Sequence, residues 1–258
     1  MRRVVSITLS ASLLLVGLVV PTAAATTVVD CSRGGDLQRA VDSAGNGDTI
    51  VIDGRCDVRP RLRIPTSGPS MTIRGGSKKP TIAPAISVTD NHLTLEGLAV
   101  NGSLTAEDAR LTLDRVRVYG SVGTSAIHTY LTDLEIFDSK IERNSAPVAA
   151  GVSVALGTMV MRDSVVRNNH AERFAGGISV AGTYRATIES SPIMKNTPAD
   201  RGGGIFVGNA PRTGHLTLKS SLVIRNAAGD TGGGNYVEEG AVFTQARSKI
   251  KNNRPNDC

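Results

Sequence analysis

The chain of 258 residues has no tryptophan, only four tyrosines and four phenylalanines, three cysteines and four histidines. So few rings exclude a core anchored on aromatics. Burial must come from Val, Ile, Leu and Ala in repeated small layers. The cysteines show no zinc-like spacing. Neither H-E-x-x-H nor G-x-x-x-x-G-K-[ST] occurs, and His92, His128, His170 and His215 occupy no matching positions of a repeat and form no obvious triad. Past residue 25 no apolar run is long enough to span a bilayer. Acidic residues are missing before Asp30. The formal charge is +6, or +4 without Arg2 and Arg3, which is too weak and dispersed to indicate nucleic acid.

What is present begins with a three-part leader. Met1-Arg2-Arg3 is basic, Val4 to Val20 is largely apolar, and Pro21-Thr22-Ala23-Ala24-Ala25 offers an A-x-A cleavage site. Residues 1–25 are therefore expected to be a cleaved export signal and 26–258 one secreted, extracellular domain, without a composition break, proline-rich linker or later membrane span. The twin arginines lack the rest of the twin-arginine pattern, and no cysteine follows the cleavage site to carry a lipid. An exported chain permits disulfides. Three connectivities are open to Cys31, Cys56 and Cys258. Cys31–Cys56 is the expected pair, closing a loop around the first helix and strand, with Cys258 free or anchoring the last coil.

A short phrase recurs five times in the second half: LEIFDSKIERN, MVMRDSVVRNN, ATIESSPIMKN, LTLKSSLVIRN and FTQARSKIKNN. Alignment puts Ser139, Ser164, Ser191, Ser221 and Ser248 in one column, at steps of 25, 27, 30 and 27 residues. Asn144, Asn169, Asn196, Asn226 and Asn253 fill another, five residues on. Between copies lies a glycine-rich phrase, AAGVSV, AGGISV, GGGIFV and GGGNYV. Self-similarity at this period marks an array of stacked units. Earlier segments join it: LRI at 62–64, MTIRG at 71–75, LTLEGLAVNG at 93–102 and LTLDRVRVYG at 111–120 alternate apolar and polar with period two. Leu93, Leu95, Leu98 and Val100 align with Leu111, Leu113, Val116 and Val118.

The alternation skips a beat at the serine, so two short strands meet there at a corner. The glycine phrase supplies a third, with Ile178 and Ile205 pointing inward. Three short strands per 25–30 residues describe one coil of a parallel β-helix, with coils from about 49 to 253 stacked at ~4.8 Å. Asp36 is placed to cap a helix from Leu37 to Ala44 that Gly45 ends, a cap at about 36–45 covering the first layer.

The glycine phrase followed by S-x-[IV]-x-x-N resembles the right-handed parallel β-helix proteins of the pectin-lyase-like class. The GGGI and S-x-I-x-x-N alternation is similar to repeats of bacterial polymorphic outer-membrane proteins. The opening DLQRAVDSAGNGDTIVI resembles the leading helix and first strand of many secreted β-helix proteins. This likeness implies an all-β, single-domain right-handed solenoid with a short N-terminal helix. It leaves activity open, because lyases, hydrolases, adhesins and spacers share the fold. Of the polygalacturonase motifs, N-T-D and D-D are absent, and Gly214-His215 is followed by Leu216 instead of the glycine of G-H-G.

Candidate residues follow from the columns. Asp138 and Asp163 share one in adjacent coils, with Glu135 and His170 not far along. Two close carboxylates could share a proton, bind calcium or form an acid/base pair; alternatively they bond corner amides. Arg143, Lys195 and Arg225, with Arg167, could form a stripe for a polyanion, interrupted by Asn168 and Asn252, or simply a solvated face. The asparagine column reads as a structural ladder with left-handed backbone, and the glycines as tight turns with positive φ. The longer segment at 208–215 also differs between copies. The expectation is a non-catalytic extracellular module binding a polysaccharide or cell-envelope polymer, with no cofactor and no metal. The alternative is a lyase or hydrolase on an acidic glycan, and only the lyase would call for calcium.

Overall fold

A computed structural model describes residues 23–198 and 200–258. The expected leader falls on residues 1–25, of which 1–22 lie outside the described residues. Three parallel sheets run the length of the molecule. Sheet A has ten strands, from Thr26–Asp30 to Val242–Ala246. Sheet B has nine, from Arg55–Asp57 to Lys249–Lys251, and sheet C eight, from Leu62–Arg63 to Asn235–Val237. The result is one continuous parallel solenoid, as the period and the alternation predict.

Register follows the repeat. Leu93 pairs with Leu111, Leu111 with Leu134, Leu134 with Met159 and Met159 with Ala186, while Val118 lies between Val100 and Ile141. Alternation sends these inward, where Leu95, Ile136, Ile178, Ile193 and Ile205 are fully buried in one core cluster. Each such side chain contributes roughly 1.5–3 kcal/mol by leaving water.

Polar ladders hold the corners. Ser139 Oγ accepts from Val116 N at 2.9 Å, and Ser164, Ser191 and Ser221 repeat the bond for the serine amide one coil before. Asn169 Oδ1 accepts from Asn144 N and Nδ2 at 3.2 and 2.9 Å, and the pattern runs on to Asn253. The left-handed residues are the ones just before these columns. Asp138, Asp163, Ser190 and Ser220 have φ of 47, 49, 48 and 46°, and Arg143, Asn168, Lys195 and Arg225 have 58, 54, 55 and 56°. The asparagine itself is therefore not the left-handed residue. Its position is fixed by burial and bonding, while its neighbour turns the chain.

The glycine phrase also works differently from expectation. Positive φ is confined to its first position, where Ala149 and Ala175 stand in two coils and Gly202 and Gly232 in two others. The third position is glycine in every copy because the next coil is too close. A Cβ on Gly177 would lie 2.3 Å from Gly204 O and 3.1 Å from Asn196 Nδ2. Each glycine thus makes room for the asparagine of the following coil, which couples the two phrases.

Further corrections concern the ends and the strand count. The array starts at Thr26–Asp30, which pairs with Asp48–Asp53, instead of at residue 49. LRI belongs to sheet C, not to the sheet that holds MTIRG. A fourth short strand appears in three coils, Ser145–Ala146, His170–Ala171 and Thr197–Pro198. The cap helix spans Leu37–Asp42, with Asp36 Oδ1 accepting from Arg39 N at 3.0 Å, and ends on Ser43 before reaching Ala44. Leu37 and Val41 enter the core. Gln38 donates to Arg63 O at 2.8 Å and accepts from Arg63 N at 2.9 Å, pairing the open edge of sheet C as a neighbouring strand would. Cys31–Cys56 is bonded and Cys258 is free and exposed, so the thiol anchors nothing. Asp257 does that instead. Its Oδ1 accepts from Asn253 N and Nδ2 at 3.0 and 2.9 Å, the two bonds a further asparagine would make.

Candidate functional site

Sheet C carries a concave site on its outer face. Strands Ala85–Thr89, Ser103–Glu107 and Ile127–Tyr130 bury Ile86, Val88, Leu104, Ala106 and Ile127, so the residues between them must face out. Ser87, Thr105 and His128 are registered side by side, as are Thr89, Glu107 and Tyr130. Together they line a cleft of about 350 Å³. Glu107 and His128 are exposed, and Tyr130 is 40% exposed. Thr105 Oγ1 is the one hydroxyl drawn back toward the backbone, donating to Ile86 O at 3.4 Å. The cleft therefore offers an aromatic face, a carboxylate, an imidazole and hydroxyls on a rigid flat support.

The sequence-predicted residues lie elsewhere. Asp138 and Asp163 stand in adjacent coils at the corner between sheets A and B, both exposed. They do not bond the corner amides, because the serine hydroxyls take that role. Neither Glu135 nor His170 joins them. Glu135 faces outward on sheet A, where Thr112 donates to it at 3.1 Å, and His170 contacts Thr197 at 3.0 Å past the next corner. Among the described residues no three His, Cys, Asp or Glu side chains are grouped to hold a metal ion.

Arg143, Lys195 and Arg225 do share one exposed corner, with Asn168 between the first two and Asn252 following Arg225. Arg167 is not part of it. It sits in strand Val165–Arg167 and ion-pairs with Glu142 at 2.6 Å. Arg117 holds the other oxygen of Glu142 at 2.7 Å and lies 4.4 Å over the Tyr119 ring. Burial of this carboxyl pushes its pKa up. The guanidiniums of Arg167 and Arg117 outweigh that and hold it below the usual carboxylate range.

Few as the rings are, some of them stack. Phe174, Phe206 and Tyr236 form a column with centroids 5.0 and 5.7 Å apart. Phe206 is buried between Phe174 and Tyr236, which carry the guanidiniums of Arg173 and Arg201 5.4 and 5.3 Å from their ring centroids, so the column braces the loop layer. The segment at 208–215 is pinned by Arg212, which donates to Tyr184 Oη at 2.7 Å.

The family described as right handed beta helix region matches residues 81–255. This chain belongs to that family. The right-handed β-helix family thus covers the cleft, the serine and asparagine ladders and the cation corner, while the cap helix and the disulfide precede the match. No curated protein matches the chain. The disulfide is of the kind formed in oxidising compartments, and no helix among the described residues is long and apolar enough to cross a membrane.

Proposed function

We propose that this β-helix protein is an exported, non-catalytic module that binds a polysaccharide or another hydroxyl-rich cell-envelope polymer along sheet C. The observation that carries the reading is the exposed Tyr130 ring standing beside Glu107, His128, Thr89 and Ser87 in one shallow cleft. An aromatic face takes the apolar C–H side of a sugar ring, and the hydroxyls, carboxylate and imidazole bond its hydroxyls. The cleft crosses three successive coils, which suits a chain more than a compact ligand. Contact with successive coils at ~4.8 Å then repeats along the polymer.

A glycan array of the protein and of Tyr130→Ala tests this. Polymer binding that falls about tenfold in the variant, with an unchanged circular dichroism spectrum, supports the reading. An array without hits, or hits indifferent to Tyr130→Ala, sinks it. Incubation with uronic-acid polymers, with and without calcium, covers the enzymatic alternative: unsaturated products would mean a lyase and new reducing ends a hydrolase.

A further inference from the structure

The outer face of sheet B changes character along the solenoid. Strand Lys140–Glu142 presents Lys140 and Glu142 outward. The next three present Val165 and Arg167, Pro192 and Met194, Leu222 and Ile224, and the last presents Lys249 and Lys251. Register makes Arg167 a neighbour of Met194, Pro192 of Leu222, and Met194 of Ile224. Val165, Pro192, Met194, Leu222 and Ile224 are half-buried, contiguous, and outside the core cluster.

Cations flank this apolar centre at both ends and along the corner that follows sheet B, while the corner that precedes it carries Asp138 and Asp163 near the Lys140 end. Lys140 stands at one end, Lys249 and Lys251 at the other, and Arg143, Lys195 and Arg225 line the adjoining corner. Among the described residues none of the six is in an ion pair.

We propose that this face docks on an anionic lipid bilayer, with the apolar side chains entering the headgroup boundary and the cations meeting lipid anions. The alternatives fit less of the surface. A soluble polyanion would use the cations and leave Pro192, Met194, Leu222 and Ile224 in water. A second copy related by a two-fold axis would set cation rim against cation rim. A protein partner would need an apolar core seated in a patch of about 800 Å² per side, whereas the apolar centre here, three strands ~4.8 Å apart with two outward positions each, covers only on the order of 150 Å². A bilayer sets no such minimum, and apolar insertion combined with anionic attraction is how interfacial segments hold to membranes. The face is separate from the sheet C cleft, so the proposal does not depend on what that cleft binds.

Vesicle co-sedimentation of the full chain tests it, using phosphatidylcholine alone and phosphatidylcholine with roughly a third phosphatidylglycerol. The expected result is binding at least about tenfold tighter to the anionic vesicles, reduced about tenfold by Lys249→Glu/Lys251→Glu and likewise by Met194→Ser/Ile224→Ser. Arg185→Glu, on the outer face of sheet A, should bind as the parent does. Melting curves confirm that each variant is folded. Every variant carries the same residues 1–25, so binding retained by both face variants would place it outside this face and overturn the proposal. Equal binding to both vesicle types overturns it too. Loss with the lysine pair alone would indicate a polyanion site in place of a lipid one.

Discussion

Asn196 uses both of its side-chain groups twice. Its Oδ1 accepts from Asn169 N and Nδ2 at 3.1 and 3.0 Å, and its Nδ2 donates to Val166 O and Asn226 Oδ1, each at 3.1 Å. The site is fully buried, so truncation would leave these partners without water to replace the lost bonds. Asn196→Ala should therefore cost about 3 kcal/mol, allowing for some relaxation. Urea unfolding measures it, and a loss below about 1 kcal/mol would mean that the ladder is incidental to stability. Glu142 works at the same scale through charge. Its pKa is held below its unfolded value of about 4.3, so its contribution is fully present above that pH and is lost as pH falls through the folded value. In Glu142→Gln this pH-dependent part is absent. The urea midpoint of the variant should fall less steeply between about pH 5 and pH 3 than that of the parent. Parallel curves would show that the carboxylate is not favourably held.

At the scale of elements, the disulfide ties the turn before the cap helix to the first strand of sheet B, across a sequence separation of 25 residues. Closing such a loop lowers the entropy of the unfolded chain by an amount equivalent to about 3 kcal/mol. Cys31→Ser/Cys56→Ser should be less stable by that amount, with an unchanged melting temperature as the contrary result. Elements were legible in the sequence where one side chain repeats coil after coil. The serine, asparagine and glycine columns and the Leu93/Leu111 alignment mark corners and inward positions directly. Thr26–Asp30 escaped because only Val29 of its five residues is buried, which leaves no alternation to read. The strands of the fourth sheet are two residues long, too short for any period. The cleft was illegible for a different reason. Glu107 comes from one coil and His128 and Tyr130 from the next, with no shared motif, and only register brings them together. Aligning ISV at 86–88, LTA at 104–106 and IHT at 127–129 as one column was the available signal. Asp138 and Asp163 fell in register as read, but register alone gathered no third group around them.

On the scale of the whole molecule, a stack in which each coil touches only its neighbours is stabilised from inside and exposed at its ends. The two ends here are closed unequally. The first coil has the cap helix, the Gln38 amide against Arg63 and a covalent bond. At the other end, strand Val242–Ala246 has no buried residue, nor has Lys249–Lys251, and closure rests on bonds from Asn256 and Asp257. Asn256 O accepts from Gly234 N, Asp257 O from Asn235 N, and Asp257 Oδ1 ends the asparagine ladder. Fraying should therefore begin at the C-terminal coil. Native-state hydrogen exchange is expected to show amides of 242–251 exchanging first and those of the fully registered middle coils, 86–154, last. Asp257→Ala removes the terminal ladder bonds, so exchange at Asn253 and then Asn226 should quicken while the middle coils keep their protection. Reduction of Cys31–Cys56 should open a second fraying front at the N-terminal end. If residues 48–63 exchanged ahead of 242–251 in the oxidised protein, the cap helix and disulfide would not be closing that end, and the unequal-ends account would fail.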